Sequence, residues 1–247
     1  MHTNATDESG STAPTTPATA PVDCYTHDYE MVLDRALAAA GENSKYFART
    51  RVEWLQIKLK TLRLSRPGSI LDFGCGTGGA IPFLAEMLSP ERLLGVDGSA
   101  EAIRRARLKC RKNGVEFAQR HQYQGHSEFD LAFCNGVFHH IDPGQRQGAL
   151  SYVYESLRPG GILAFWENNP WNPGTRYIMR RCEFDRDAQL LSIGKAKRLL
   201  GLANFEILDC STCFYFPRWL KRLRVLEPAL SRLPLGGQYL VLARRDG

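Results

Sequence analysis

One stretch limits the choice of fold more than any other: residues 69–79, S-I-L-D-F-G-C-G-T-G-G. Residues 69–73 are a short apolar run after the breaker pair Pro67-Gly68, and residues 80–88, A-I-P-F-L-A-E-M-L, are apolar at a helical period. The pattern predicts strand, glycine turn, helix. Gly74, Gly76 and Gly78 admit backbone angles closed to other residues and let a ligand approach the main chain, and the helix behind them offers unpaired N–H groups. A turn of this kind suits a nucleotide-like ligand.

Asp72, one position before the end of the strand, narrows the ligand further. A pyrophosphate gains nothing from a carboxylate beside it, because two anions repel strongly where the dielectric is low. A ligand carrying an amino group gains. The stretch resembles the first motif of the class I S-adenosylmethionine-dependent methyltransferases, whose cofactor has such a group in its methionine half. Gly74, Gly76 and Gly79 also satisfy the dinucleotide pattern G-x-G-x-x-G, so the next strand has to discriminate.

That strand, residues 92–96, ends in Asp97, 19 residues beyond Gly78. A doubly wound sheet places a carboxylate at about this separation, at the tip of its second strand, within reach of ribose hydroxyls. The resemblance therefore implies a cofactor site on Asp72, Gly74, Cys75, Gly76, Gly78, Asp97 and Gly98. Ser99 is a candidate cap for a helix that Asn113-Gly114 would end.

The third strand, 115–118, is followed by Gln119 where the family often has an acid for the adenine amino group; its amide oxygen can accept the same hydrogen bond. A fourth strand, 128–134, leads into Asn135-Gly136-Val137-Phe138-His139-His140. By resemblance Asn135 and Gly136 lie near the methionine portion. His139 and His140 are candidates for a general base. Being adjacent, on a regular element they point in different directions, so no metal site is expected.

A helix at 143–157 and the turn Arg158-Pro159-Gly160-Gly161 precede a fifth strand, I-L-A-F-W, continuously apolar as a central strand should be. It ends in Glu167-Asn168-Asn169-Pro170-Trp171 at the edge where open parallel sheets bind ligands. Glu167 can deprotonate an acceptor, bind its cation, or cap a loop. Asn168 and Trp171 become substrate candidates, with Tyr46 and Arg49 from the N-terminal helices and Arg176 and Arg180 from an inserted lid. Guanidiniums there can clamp a carboxylate or phosphate, or pair with neighbouring acids. Phe138, Trp166 and Trp171 are aromatic faces for a sulfonium cation.

The expected fold is therefore α/β: a doubly wound, mostly parallel, seven-stranded Rossmann-like sheet with a helical N-terminal cap and inserted lid segments. Residues 1–22, rich in Thr, Ala, Ser and Pro, read as a disordered tail; 23–66 as the cap; 67–247 as the cofactor-binding domain with insertions at about 168–191 and 217–233. The last insertion alternates apolar with basic residues and is predicted to form an amphipathic helix.

The function expected from the resemblance is methyl transfer from S-adenosylmethionine to a small, acidic or phosphorylated molecule by in-line attack. Of 32 basic and 26 acidic residues, 14 and 7 fall in residues 172–247, so the C-terminal third supplies the whole net charge of +6. An RNA or protein acceptor is one alternative that this excess keeps open, although no nucleic-acid module is recognisable. A nicotinamide oxidoreductase and a non-catalytic ligand sensor are others. Seven scattered cysteines do not form a disulfide framework, and neither a secretory leader nor a membrane span is recognisable. The chain reads as cytoplasmic, with room for peripheral membrane contact and for a homo-oligomer.

Overall fold

A computed structural model of the chain describes residues 29–182, 185 and 188–247. The predicted tail at 1–22 lies outside the described residues, as does the start of the cap at 23–28. Helix α1 (Tyr29–Leu37) continues as a 3-10 turn that Gly41 closes in a left-handed conformation (φ +71°). Asn43 then caps α2 (Ser44–Thr61), its side chain accepting from Tyr46 N.

Seven strands follow: β1 (Ser69–Phe73), β2 (Arg92–Asp97), β3 (Val115–Gln119), β4 (Phe129–Asn135), β5 (Leu157–Asn168), β6 (Phe205–Cys213) and β7 (Gln238–Arg245). They form one sheet in the order β3-β2-β1-β4-β5-β7-β6. All pair in parallel except β7, which runs antiparallel to both β5 and β6. The order reverses between β1 and β4. At such a switch point the chain leaves neighbouring strands toward opposite faces and opens a crevice at their carboxyl ends.

Helices cover both faces. Helix α3 (Ile81–Phe83) runs on as a π-helical turn, Leu84–Leu88. Helix α4 (Ala100–Lys109) starts at Ser99, whose hydroxyl accepts from Ala102 N as the sequence suggests, but ends before Asn113-Gly114. Helices α5 (Arg146–Ser156) and α7 (Ile193–Leu202) pack on the other face. Val52, Leu55 and Leu59 of α2 are buried together with Ile70, Phe133, Trp166 and Leu240. Fully burying side chains of this size stabilises by about 1.5–3 kcal/mol each, so α2 is a covering layer of the sheet itself.

Two segments after β5 are folded in ways their patterns do not specify. The stretch beyond β5 contains a capped helix, α6 (Pro173–Arg181), with Asn172 accepting from Thr175 N. Residues 217–233 are not one amphipathic helix: a 3-10 segment, Arg218–Leu226, is interrupted at Leu220 and followed by the short α8 (Glu227–Leu230). Glu227 explains the compact path. Its buried carboxylate accepts from the backbone N–H groups of Phe214, Tyr215 and Phe216, which ties this segment to the exit of β6. No helix among the described residues is long and apolar enough to cross a membrane.

Candidate active site

The glycine turn hooks over the end of β2: Gly74 N and Cys75 N both donate to Val96 O, at 2.8 and 3.0 Å. Gly74 sits at φ +73°, and a Cβ there would collide with Val137 Cγ2 from the segment after β4. Gly76, at φ +53°, has nothing within 4 Å of where its Cβ would lie. One glycine is demanded by packing; the other leaves space for a ligand to reach the main chain. Gly78 packs on α4 through Cys110, and Gly98 faces open space beside Asp97. Cys75 is buried, and burial pushes its thiol well up, so it offers a ligand its main chain rather than a thiolate.

Asp97 fastens the turn to β2. Its Oδ2 accepts from Gly76 N at 2.9 Å and its Oδ1 from Ser99 N at 2.9 Å. Gln119 is the register neighbour of Asp97 across β2 and β3. Its Oε1 accepts from Gln122 Nε2 and its backbone N donates to Gln122 Oε1, both at 3.3 Å, in a local box at the strand tip.

Asp72 is in the opposite situation. It is 3% exposed, and its Oδ2 has no hydrogen-bond partner among the described residues. Burial, with the charge of Asp97 adding to it, pushes the carboxyl up to about 8. A second orphan lies on the same face. Asp72 pairs with Phe133, Asn135 stands two residues further along β4, and Asn135 pairs with Trp166. Alternation therefore directs Asp72, Asn135 and Trp166 to one side of the sheet, under α2. Trp166 is fully buried and its Nε1 has no partner among the described residues. An unmatched acceptor and an unmatched donor below one helix are what a ligand with both an ammonium and a carboxylate would satisfy.

The other face carries the acids and imidazoles. Glu167 is 1% exposed and both its oxygens are engaged: Oε1 accepts from Phe138 N at 2.8 Å, and Oε2 lies 2.6 Å from His139 Nδ1. This is the geometry of a loop cap, one of the roles the sequence allows Glu167. His139 Nε2 and His140 Nε2 each lie 3.4 Å from Asp185 Oδ1, with the two rings 4.1 Å apart. The expectation that adjacent histidines diverge fails here, because residues 138–140 form a turn, not a strand or helix. Burial opposes a charge on His139, but Glu167 and Asp185 outweigh it and raise its pKa; burial and the neighbouring His139 lower that of His140.

The substrate candidates scatter more widely. Tyr46 joins an aromatic cluster with Phe47 and Phe214, under the Arg224 guanidinium at 4.7 Å. Arg49 makes an exposed pair with Glu53 along α2. Asn168 accepts from Gln238 Nε2 at 2.8 Å, and Gln238 Oε1 accepts from Arg51 Nε at 2.8 Å; Gln238, which joins them, is the member that sequence reasoning missed. Trp171 is 65% exposed, and Phe138 is fully buried between Phe73 and Phe165, which leaves Trp166 as the one of these three aromatics on the face of the sheet that Asp72 shares. Arg176 and Arg180 are exposed on α6. Asp185 was visible in the sequence only as a potential ion-pair partner of the lid arginines; Trp166 only as an aromatic face.

A family model described as a methyltransferase domain matches residues 71–163, from β1 into β5. A methyltransferase of Synechocystis sp. is 34% identical over 159 residues, 62% of this chain and 74% of the relative. A trans-aconitate 2-methyltransferase of Azoarcus sp. is 28% identical over 134 residues, 54% of this chain and 52% of the relative, so the chain spans about half of that enzyme. The solved S-adenosylmethionine-dependent methyltransferase of Mesorhizobium loti shares the fold with a TM-score of 0.56 at 22% identity, over 78% of this chain and 98% of that one. The oxidoreductase and sensor readings of the glycine pattern give way to this match. With the fold, the glycine turn and these relatives in agreement, the chain belongs to the class I S-adenosylmethionine-dependent methyltransferases and uses S-adenosylmethionine as its cofactor.

Proposed function

We propose that this enzyme methylates a small, negatively charged molecule, holding S-adenosylmethionine across the tips of β1 and β2. The observation that carries the cofactor pose is the buried, unpartnered Asp72 Oδ2. Asp72 takes the methionine ammonium, Trp166 Nε1 and Asn135 serve the carboxylate at the same end, and Asp97 takes the ribose hydroxyls while remaining anchored to Gly76 N. The bare approach at Gly76 lets the nucleoside lie against main chain. The cofactor supplies an electrophilic methyl on sulfur; the chain's own contribution is alignment and exclusion of water.

The acceptor enters from the side of α6. Arg176 and Arg180 there are suited to a carboxylate or phosphate, and a relative named for trans-aconitate supports a small acidic acceptor. The test is transfer of labelled methyl to a panel of small carboxylates and phosphates, with RNA and protein alongside. A small anion should accept, and the Arg176→Ala and Arg180→Ala variants should raise its KM several-fold with cofactor Kd unchanged. Labelling of RNA or protein alone, or an unmoved KM, would reject the reading.

A further inference from the structure

The geometry points to a divalent-metal site at the carboxyl edge of the sheet, formed by His139 Nε2, His140 Nε2 and Asp185 Oδ1 and suited to a zinc-type first-row ion. The three donor atoms lie within 4.8 Å of one another. Two of the edges between them, each imidazole nitrogen to the carboxylate oxygen, are 3.4 Å. A tetrahedral ion with bonds of about 2.0–2.1 Å separates its ligands by about 3.3–3.5 Å, so these edges already have the length an ion would impose.

The group is also built in the manner of a ligand set. Glu167 Oε2 accepts from His139 Nδ1 at 2.6 Å, which fixes the ring with Nε2 toward Asp185 Oδ1, the arrangement by which carboxylates orient metal-binding imidazoles. Four residues beyond Asp185, Gln189 N donates to His139 O at 2.8 Å, a tie to the histidine turn. Arg146 completes the frame by donating to Ile141 O and Gln189 O, both at 3.0 Å. The donors come from two segments 45 residues apart, so long-range structure places them together, and adjacency in sequence contributes only the imidazole pair.

Access and chemistry are consistent with this. The side chain of His140 is 41% exposed and that of His139 3%, so an ion enters from the His140 side and loads against a fixed floor. Two nitrogens and one oxygen favour zinc, cobalt or nickel over magnesium or calcium, which prefer all-oxygen shells. On binding, the ion takes the place of the proton on His139 Nε2, which leaves to solvent, and both imidazoles coordinate as neutral ligands. Among the described residues no fourth protein donor joins the group, so the remaining positions fall to water or to an oxygen of the acceptor. His139 Cε1 is 3.5 Å from where a Cβ on Gly136 would lie, which sets the site beside the exit of β4.

The proposal does not rest on the identity of the acceptor, and cobalt binding tests it without turnover. The full-length protein, stripped with chelator, is titrated with Co²⁺ and followed by visible absorption, then by displacement with Zn²⁺. One equivalent should bind with the intense bands of a four-coordinate site, and Zn²⁺ should raise the melting temperature. His140→Ala and Asp185→Asn should each weaken binding at least tenfold, and Glu167→Gln should weaken it by about 10–100-fold through the orientation of His139. Melting of each variant without metal reports whether it is folded; should Glu167→Gln unfold, the half-exposed His140 supplies the decisive variant. Failure to bind stoichiometrically, or binding that survives both His140→Ala and Asp185→Asn, would overturn the site.

Discussion

The carboxyl ends of β1 and β2 and the region beyond β5 sit on the same edge of one sheet, yet they are put together differently. The first is assembled from near neighbours and main chain: Gly74 N and Cys75 N on Val96 O, Gly76 N on Asp97, Ser99 capping its own helix. The second is stitched by side chains reaching far along the chain. Asn169 Nδ2 donates to Pro234 O and Gly236 O, Asn172 Nδ2 to Leu235 O, and Arg51 to Gln238 across 187 residues. A cradle of main chain suits one invariant cofactor, whereas a surface made by pairing distant loops, where we place the acceptor, can be altered without disturbing the cradle.

The sharpest way to break this contrast is at Asp72. Asp72→Asn keeps the shape and removes the charge. Loss of a charge-assisted hydrogen bond worth roughly 1.5–3 kcal/mol should weaken cofactor binding on the order of 10- to 100-fold. The same change should stabilise the cofactor-free protein at alkaline pH. Burial raises Asp72 from 3.8 to about 8, so between these values the folded chain holds a proton that the unfolded chain has lost. Stability then falls as pH rises through that window, and the variant is spared the fall. Thermal melts at pH 6 and pH 8.5 should show the variant gaining on the parent at the higher value.

A smaller effect separates the two glycines. Gly74→Ala forces a methyl into Val137 at a positive φ and should cost about 1–3 kcal/mol of stability, measured by urea unfolding. Gly76→Ala bears the left-handed backbone cost of about 1–2 kcal/mol but meets no protein atom, so it should lose less stability than Gly74→Ala and add a loss of cofactor affinity. Equal loss of stability in both would deny the distinction. Smaller still is the expected effect on the cofactor of Asn169→Ala, which strands the buried carbonyl of Gly236 and removes a donor from that of the exposed Pro234. It should lower stability by about 1–3 kcal/mol and raise acceptor KM, with cofactor Kd within a factor of two.

Much of the first region was legible because its signals are local. The apolar run at 69–73 became β1 with those limits, and Asp72, Asp97 and Ser99 stand at the strand and helix ends that short-range patterning assigns. The second region was not. Period alone cannot distinguish a continuous amphipathic helix from the broken 3-10 path at 218–226, because the buried Glu227 that decides it binds residues 11 to 13 positions earlier. The unpartnered indole of Trp166 has meaning only once α2 covers its strand. His139 and His140 were misjudged as divergent because the rule applied to them belongs to regular elements.

Calorimetry of cofactor binding at pH 7, repeated in buffers of different ionisation enthalpy, tests most directly whether Asp72 is held in reserve for an ammonium. With its carboxyl at about 8, Asp72 is mostly protonated in the free protein and must ionise to meet the cation. Binding should therefore release close to one proton per chain, and Asp72→Asn should abolish the release. Tight binding with no proton released by the parent protein would contradict the account.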